Sequence, residues 1–205
     1  LPWDKRVARV FCTCFRNREE RENPGGHLTS DCRGNLRIIH NEFQDKYDGL
    51  HLRCGTEPEM MWLKRGEDGR PNGGVTKPNC YHIDQFEELR PTFMKVIEYS
   101  QAMGLDIIQG DHEDAPGQLE LNTMFDDVLR NADRLTTYRQ ICAQVAREDG
   151  LIACFMSKPF MGVSASGCHH NMSLWRGGKD TVNDLHFDKL PGMSGAFSYL
   201  VGGEN

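Results

Sequence analysis

The chain has 205 residues, 38% of them hydrophobic, which is enough for one substantial core and one domain. Its 24 lysines and arginines are outnumbered by 30 acidic residues, so the formal net charge is −6. This acidic balance, without a long basic run, argues against nucleic acid or an anionic membrane surface as the main partner. No apolar run reaches the ~20 residues of a membrane-spanning helix.

The first quarter of the sequence predicts one strand, one loop and one helix before two extended segments. Residues 6–14 alternate well enough to form a strand. We expect a surface loop over 16–34, where the cluster NPGG breaks regular structure, and a helix over 35–47. The strand-like LHLRCG is followed by TEPEMMWL, which is expected to be short and extended because the residue before its proline disfavours the helical region.

The middle of the chain predicts two long helices, each followed by a strand. Helix breakers throughout 66–78 indicate a long exposed loop. The spacing of apolar residues predicts helices over 91–103, with its proline in the first turn, and over 127–149. LDIIQG is expected to be a buried strand and LIACFMS a core strand. Strands mixed with long helices, without a regular βαβ rhythm, favour the α+β class.

The eight cysteines do not indicate a metal or disulfide framework. Most lie in apolar contexts such as IACF and QICAQV, where a free thiol behaves as a small hydrophobe. The pair Cys12 and Cys14 lacks a second paired cluster, so it is weak support for structural zinc. We therefore expect a reduced, cytoplasmic protein. Because the sequence begins at LPWDK rather than at methionine and stops at a glycine-rich GGEN, we also expect it to be part of a longer chain.

Two acidic motifs suggest a metal site. In an extended segment Glu57 and Glu59 share one face, where like charges repel unless a cation lies beside them. In HEDAPGQLELN a Pro-Gly turn separates Glu113 from Glu120, and the strand that follows places Gln118, Glu120 and Asn122 on one face. Oxygen ligands of this kind suit Mg²⁺ or Mn²⁺. Taken singly, each motif is equally compatible with a solvated strand edge or a polar hairpin.

A third motif, in FMSKPFMGVSASGCHHNMSLW, places a histidine beside a run of small residues. If the segment after the run is a strand, alternate side chains share a face. One face then carries an imidazole, an amide and a hydroxyl (His169, Asn171 and Ser173), and the other carries His170, Met172 and Leu174. Lys158 is compatible with a plain surface lysine, and His170 with a core or interface histidine.

The three motifs, taken together, resemble the catalytic domain of the glutamine synthetase family, in the family's order, from about Thr29 to Val201. The resemblance implies a curved antiparallel sheet that forms an active-site funnel flanked by helices. It also implies that residues 1–14 end a small N-terminal β-grasp-like domain and that 15–205 are part of the catalytic domain.

The resemblance implies an ATP-dependent ligase that joins ammonia or a small primary amine to the γ-carboxylate of L-glutamate through γ-glutamyl phosphate. Two Mg²⁺ or Mn²⁺ ions per site would neutralise charge in phosphoryl transfer. By motif position the first ion would be held by Glu59, Glu113 and Glu120, and the second by Glu57 and His169. The glutamate contacts would be Ser164 and Ala165; the nucleotide contacts would be Phe125, Asn171 and Ser173.

The sequence also departs from the family pattern. Ala165 stands where the family usually has glycine, and Asn171 where many members have a second histidine. GCHHN, with the later GMSGAFSYLVGGEN, is similar to the divergent bacterial branch that includes γ-glutamylmethylamide synthetases. The family's ammonium-deprotonating aspartate, arginine cluster and glutamate flap have no counterpart in these 205 residues, so this stretch alone is expected to be inactive.

The resemblance further implies a homo-oligomer of two stacked rings, with a dodecamer expected, whose active sites are shared between neighbouring subunits. Two other functions stay open at this point. One is a catalytically inactive scaffold, against which the five metal-ligand positions argue. The other is a kinase-like relative that phosphorylates a different acceptor, which only the Ser164-Ala165 change favours.

Overall fold

The computed structural model describes residues 1–19, 28–75, 80–176 and 179–180. The chain divides into two compact units. The first unit comprises the described residues within Leu1–Ala8, Thr56–Met124 and Arg134–His170, and the second comprises those within Arg9–Gly55, Phe125–Asp133 and 171–180. The expectation that residues 1–14 end a separate β-grasp-like domain stays a prediction.

The described ranges contain three helices and eight strands, and every strand pair with a defined register is antiparallel. The helices are α1 Cys32–Lys46, α2 Ile83–Ala102 and α3 Val128–Glu148. The strands are β1 His51–Arg65, β2 Pro71–Gly74, β3 Ile107–His112, β4 Gln118–Thr123, β5 Asp126–Asp127, β6 Leu151–Cys154, β7 Cys168–Arg176 and β8 Lys179–Asp180. The α+β class predicted from the sequence is confirmed.

The sheet is built around β1. Its strand order is β3-β4-β1-β7-β8, and β2, β5 and β6 also pair with β1. In the first unit, one face of this sheet carries large apolar side chains that pack on α2 and α3. The centre of that core includes Met60, Trp62, Leu119, Leu121, Phe93, Tyr138 and Ile141. Because side chains alternate along a strand, the opposite face of β1, β3 and β4 is left for polar side chains.

The N-terminal expectations are partly wrong. Residues 6–14 form no strand, and Val7 and Val10 are 46% and 76% exposed, so their apolar side chains do not pack into a sheet. Helix α1 begins three residues before the expected start because Asp31 caps it: the Asp31 carboxylate accepts the Gly34 N–H at 3.0 Å. Of the loop expected over 16–34, residues 20–27 lie outside the described residues.

Two further expectations need correction around β1. LHLRCG and TEPEMMWL are one continuous 15-residue strand rather than two segments. The stretch 66–78, expected to be a long loop, contains the short strand β2, whose pairing with β1 makes a hairpin; its residues 76–78 lie outside the described residues. Pairing with β2 and β6 extends β1 beyond what its local sequence indicates.

Helix α2 and strand β3 are shifted relative to the sequence prediction. The helix begins at Ile83, so Pro91 lies inside it rather than in its first turn. Pro91 removes a backbone hydrogen bond at a cost of about 3 kcal/mol, which the burial of Leu89 and Phe93 helps to offset. β3 is an exposed edge strand rather than a buried one, with Ile108 56% exposed. Helix α3 is confirmed, whereas the strand expected over LIACFMS is shorter and ends at Cys154, its only buried residue.

All eight cysteines are free thiols, although only Cys54, Cys142 and Cys154 are buried. Within the described ranges, no helix combines the length and apolar character needed to cross a bilayer.

Gly110 is required for the close packing of β3 on α2, and we predict that Gly110→Ala destabilises the fold. A Cβ at this position would lie 2.2 Å from Cζ of Phe93. Overpacking of this kind is expected to lower the free energy of unfolding by about 1–3 kcal/mol in urea titrations. The exposed neighbour Gln109→Ala should change it by less than about 0.5 kcal/mol. In the double variant Gly110→Ala/Phe93→Leu the smaller side chain should make room for the added Cβ, so part of the lost free energy of unfolding should be recovered. If none is recovered, the steric explanation fails.

Candidate functional site

Three carboxylates form a row across the polar face of the sheet in the first unit. Glu59 on β1 lies directly opposite Glu120 on β4, and Glu120 lies directly opposite Asp111 on β3. Directly opposed residues point to the same face, where like charges destabilise the sheet. Glu57 lies two residues before Glu59, so its side chain joins the same face. The fold therefore concentrates negative charge at one place.

The electrostatics of this row reflect both burial and repulsion. Glu113 directly follows β3 and interacts with the row: burial and the charges of Glu59 and Glu120 raise the pKa of its carboxyl to about 6. Burial also raises the pKa of Glu120, and the charges of Glu57 and Glu59 add to that increase. The charge of Glu113 is the main cause of the raised pKa of the Tyr81 phenol. A positive charge placed among these carboxylates would therefore stabilise their ionised forms.

Neutral donors hold two of the carboxylates in place. The Asn122 side-chain amide donates to Oε1 of Glu120 at 2.6 Å. The Glu59 Oε2 atom accepts two hydrogen bonds at 3.0 Å, one from the Gln118 side chain and one from the backbone N–H of Gly167. Because these donors carry no formal charge, they orient the carboxylates without neutralising them.

The Gln118 side chain, 1% exposed, links the site to the loop before β7. Its Oε1 accepts the backbone N–H of Ala115 at 2.9 Å. Its Nε2 lies 3.1 Å from both the Ala165 carbonyl and Ser166 Oγ, in addition to the contact with Glu59. One buried amide therefore fixes the turn, the carboxylate and the loop relative to one another.

We predict that Gln118→Met, which keeps the length of the side chain, lowers the free energy of unfolding by about 1–3 kcal/mol because buried partners lose their hydrogen bonds. Chemical denaturation would measure the effect. The exposed Gln101→Met on α2 is the matched control and should be close to neutral. Equal stability of the two variants would contradict the linking role of Gln118.

His169 lies at the start of β7 beside the carboxylate row. Its Nδ1 is 3.5 Å from Oε2 of Glu57. A Cβ on Gly167 would lie 2.9 Å from His169 Nε2 and 3.1 Å from Oε1 of Glu59, so only glycine leaves room between the imidazole and this carboxylate. The His169 imidazole and the Glu59 carboxylate therefore border one small space, which is open because Gly167 has no side chain.

The two faces predicted for β7 stay a prediction, because Cys168–Asn171 are all exposed and their burial does not alternate. His170 is not a core residue: it is exposed, and its Nδ1 lies 3.0 Å from Oγ1 of Thr56. Further along the strand, Leu174 is fully buried. The core alternative expected for His170 is wrong because β7 begins at the surface, and the interface alternative stays a prediction.

The loop that carries Ser164 and Ala165 is closed by hydrogen bonds in the first unit. The Ser166 N–H donates to the Ser157 carbonyl at 2.7 Å. The Ser164 hydroxyl donates to Oδ2 of Asp114, which follows Glu113 in the turn before β4. The two predicted glutamate contacts are therefore brought close to the acidic motif.

The three predicted nucleotide contacts belong to the second unit. The Phe125 ring lies 5.6 Å from that of Trp175, and the Arg53 guanidinium lies 4.8 and 4.7 Å from the two ring centres. Trp175 Nε1 donates to Ser173 Oγ at 2.8 Å, and Asn171 is exposed on β7. An aromatic pair with a stacked cation offers a flat surface on which a base can stack.

Comparison with known proteins identifies the family. Residues 29–204 match the family model described as the glutamine synthetase catalytic domain. The chain belongs to the glutamine synthetase family. It is 32% identical over 189 residues to a glutamine synthetase of Methanococcus voltae, covering 90% of this chain and 40% of that relative. The chain therefore spans about 40% of the length of this curated relative.

Solved structures agree with the glutamine synthetase fold. A GmaS–ADP complex is 30% identical, with a TM-score of 0.65 over 72% of this chain and 34% of that chain. A GmaS structure without ligand is 29% identical, with a TM-score of 0.68 over 76% of this chain and 37% of that chain. These similarities agree with the resemblance drawn from the three motifs.

The donor chemistry of this glutamine synthetase site fits a divalent cation. Half-buried carboxylates repel one another on one face, and the imidazole of His169 lies beside them. Hard cations such as Mg²⁺ take carboxylate oxygens, and Mn²⁺ also accepts imidazole. Among the described residues, no three acidic, histidine or cysteine side chains already converge as a ligand group. Glu59 and Glu120 are instead oriented by the amides of Gln118 and Asn122.

Sequence reasoning missed Asp111 in the first unit and the stack of Arg53 on Trp175 in the second. Asp111 was not singled out, although Asp111 and Glu113 are two residues apart and alternation would place them together. Arg53 and Trp175 were also missed, and their stacking depends on contacts between segments far apart in the sequence. No local signal in the sequence indicates that contact.

Proposed function

We propose that the full-length protein is an ATP-dependent ligase that joins ammonia or a small primary amine to the γ-carboxylate of L-glutamate through γ-glutamyl phosphate. The observation that carries this proposal is the carboxylate row beside His169 in a chain of the glutamine synthetase family. A row of opposed carboxylates costs stability, and a phosphoryl-transfer site provides a reason to retain it.

The proposed roles of the acidic residues follow their places on the sheet. Glu59, Glu113 and Glu120 would hold one Mg²⁺ or Mn²⁺, and Glu57 with His169 would hold a second. When bound, such ions neutralise phosphate charge and align the reacting oxygens. Gln118 and Asn122 orient the carboxylates, and Gly167 leaves space between Glu59 and His169.

The substrate contacts are proposed from the same chain. Ser164 and Ala165 would contact glutamate, and their loop is tied to the acidic turn through Asp114 and Gln118. The proposed nucleotide contacts are Phe125, Asn171 and Ser173. The similarity to a GmaS–ADP complex at 30% identity supports an adenine nucleotide as the second substrate.

Two acceptors are supported by different relatives. Curated relatives named glutamine synthetase support ammonia. The similarity to GmaS, a γ-glutamylmethylamide synthetase, supports methylamine. We propose a small amine of this kind as the acceptor, and direct competition between ammonium and methylamine would identify which one the full-length protein prefers.

A coupled ADP-release assay on the full-length protein, with glutamate plus ammonium or methylamine, tests the proposal. Amine-dependent ADP release with formation of the matching γ-glutamyl amide is the expected result. No ADP release under any condition would favour the inactive scaffold. Phosphorylation of a different acceptor, without any use of amine, would favour a kinase-like relative.

We further predict that the full-length protein is a homo-oligomer of two stacked rings, most simply a dodecamer, and is inactive as a monomer. The proposed metal ligands lie in this chain, whereas no residue of the chain has been assigned to activate the amine. A closed ring is built from heterologous contacts between neighbouring subunits. Sedimentation with activity measured on each fraction tests this, and a fully active monomer would contradict it. The cytoplasmic location stays a prediction.

A further inference from the structure

A buried histidine joins three elements of the second unit. His40 on α1 is only 7% exposed. The backbone N–H of Leu52, the second residue of β1, donates to its Nε2 at 3.2 Å. On the other side of the ring, Nδ1 lies 3.6 Å from Oδ2 of Asp127 on β5. His40 therefore lies against both strands close to the point where they pair with each other.

The pairing of β1 with β5 also positions the stacking surface made of Arg53, Phe125 and Trp175. Arg53 lies opposite Asp127 in this pairing, and Phe125 directly precedes β5. The Arg53 guanidinium lies 4.8 Å from the centre of the Phe125 ring and 3.6 Å from Oδ1 of Asp126 on β5. A change in how the two strands meet would therefore move the cation relative to the ring.

The hydrogen bond from Leu52 requires a neutral imidazole. A backbone N–H donates only to a ring nitrogen without a proton, so the one ring proton of His40 is assigned to Nδ1, which faces Asp127. A protonated ring has donors on both nitrogens and would leave the Leu52 N–H without its acceptor. The contact is therefore made by one protonation state only.

The groups around the imidazole favour this neutral state. Burial is the main cause that lowers the pKa of the His40 imidazole; the Asp127 carboxylate acts in the opposite direction, and the charge of His51 on β1 adds to the lowering. Arg53 and Arg130 are paired with Asp126 instead. Because the pKa is lowered, the hydrogen bond is present above the ordinary pKa of about 6.5 and is lost as the pH falls through the lower value of the folded state.

We propose that His40 is a positioning residue for the nucleotide and makes nucleotide binding sensitive to pH. The neutral imidazole holds Leu52, and with it the adjacent Arg53, where the guanidinium stacks on Phe125 and Trp175. Protonation removes the acceptor, so β1 is held less firmly and the base loses part of its stacking surface. This inference rests on the proposed function, because it takes the stacking surface as the place where the adenine base binds.

The test is calorimetric binding of adenosine to the full-length protein, without divalent cations, from about pH 8 to about pH 5, the range in which a histidine changes charge. Adenosine has the base but no phosphate, so its own charge is constant over this range and its binding does not depend on the proposed ions. The Kd of the parent protein is expected to rise about fivefold at the lower pH, the ratio that corresponds to the loss of one neutral hydrogen bond.

His40→Gln removes the titration but keeps the hydrogen-bonding groups, because an amide has an oxygen that can accept from Leu52 and a nitrogen that can donate to Asp127. Its Kd should change by less than about twofold over the same range of pH. The Tm of the parent should also fall relative to that of His40→Gln as the pH is lowered.

Two neighbouring variants change the charges that face His40. His51→Gln is the matched histidine control: it should retain the pH dependence but move it to higher pH, because a positive charge beside the imidazole is removed. Asp127→Asn keeps an acceptor for the Leu129 N–H and should move the pH dependence to lower pH. A purely structural role of His40 would not produce these opposite shifts.

The outcomes separate this inference from the proposed function. The same pH dependence in His40→Gln as in the parent would mean that another group titrates. A constant Kd of the parent, or no adenosine binding at any pH, would mean that protonation does not act on a base-binding surface. Each of these results overturns the inference. An active ligase with a pH-independent adenosine Kd would retain the proposed function and refute the role of His40, whereas the expected pH dependence can be observed even if the ADP-release assay is negative.

Discussion

Glu120→Ala in the full-length protein is expected to reduce ATP-dependent amide formation more than about 100-fold. Loss of a residue that only orients a metal ligand already costs up to about 100-fold in activity, and Glu120 is proposed to be a ligand itself. Glu120 lies at the centre of the row, directly opposite both Glu59 and Asp111. Its removal takes an oxygen from the proposed first ion and leaves the remaining carboxylates without their central member. Glu59→Ala should have an effect of the same size.

The exposed Glu98→Ala on α2 is the control, and its turnover should match that of the parent protein. A second measurement separates an effect on the ion from an effect on the fold. Glu120→Gln keeps an acceptor for the Asn122 amide but removes a charge. Without divalent cation it should be about 0.5–1 kcal/mol more stable than the parent, because like charges opposed across strands are destabilising.

Added Mg²⁺ should then raise the Tm of the parent protein and shift that of Glu120→Gln much less. Near-normal Mg²⁺-dependent turnover in Glu120→Ala would refute the assignment of the first ion. Identical Mg²⁺ shifts of Tm in the parent and Glu120→Gln would refute it independently of any activity measurement.

His169→Ala is expected to weaken nucleotide binding in the presence of Mg²⁺ about tenfold or more, and glutamate binding much less. The reason is its position at the start of β7 next to Glu57, with which it would hold the second ion; that ion would neutralise phosphate charge when bound. Separate titrations with a non-hydrolysable ATP analogue and with glutamate measure the two effects.

The neighbouring His170→Ala is the matched control. His170 is exposed and contacts Thr56 Oγ1, so its loss should leave nucleotide affinity nearly unchanged. If His169→Ala weakened both ligands equally, the proposed division between the two ions would not hold.

The parts of the site that were predicted from the sequence depend on strand alternation. Glu57 with Glu59, and Gln118 with Glu120 and Asn122, share faces because the period of a strand is two residues, whatever surrounds it. The same rule applied to HEDAPGQLELN and the residue before it would have added Asp111 to Glu113. Asp111 was overlooked because the strand was expected over LDIIQG, whereas β3 starts and ends two residues later and so includes Asp111.

The parts that were not predicted depend on tertiary contacts. Pro91 indicates a helix start locally, yet packing of Leu89 and Phe93 on the sheet carries α2 through it. The four partners of the Gln118 side chain lie in three segments, and two of these segments, β1 and the loop before β7, are distant in sequence; its linking role therefore follows only from the folded arrangement. Pattern alone predicts which face a side chain occupies, but it does not predict which distant backbone that side chain will meet.

The direct opposition of Glu59 and Glu120 has a consequence for how this region tolerates insertions and deletions. A shift of one residue between β1 and β4 would exchange the two faces, moving carboxylates into the core and apolar side chains such as Met60 out of it. The turn between Glu113 and Glu120 can therefore change in length only if the residues are added or lost before β4 begins, so that the register between β1 and β4 is unchanged. Naturally occurring length variants of this turn should preserve the pairing of Glu59 with Glu120, whatever their sequence.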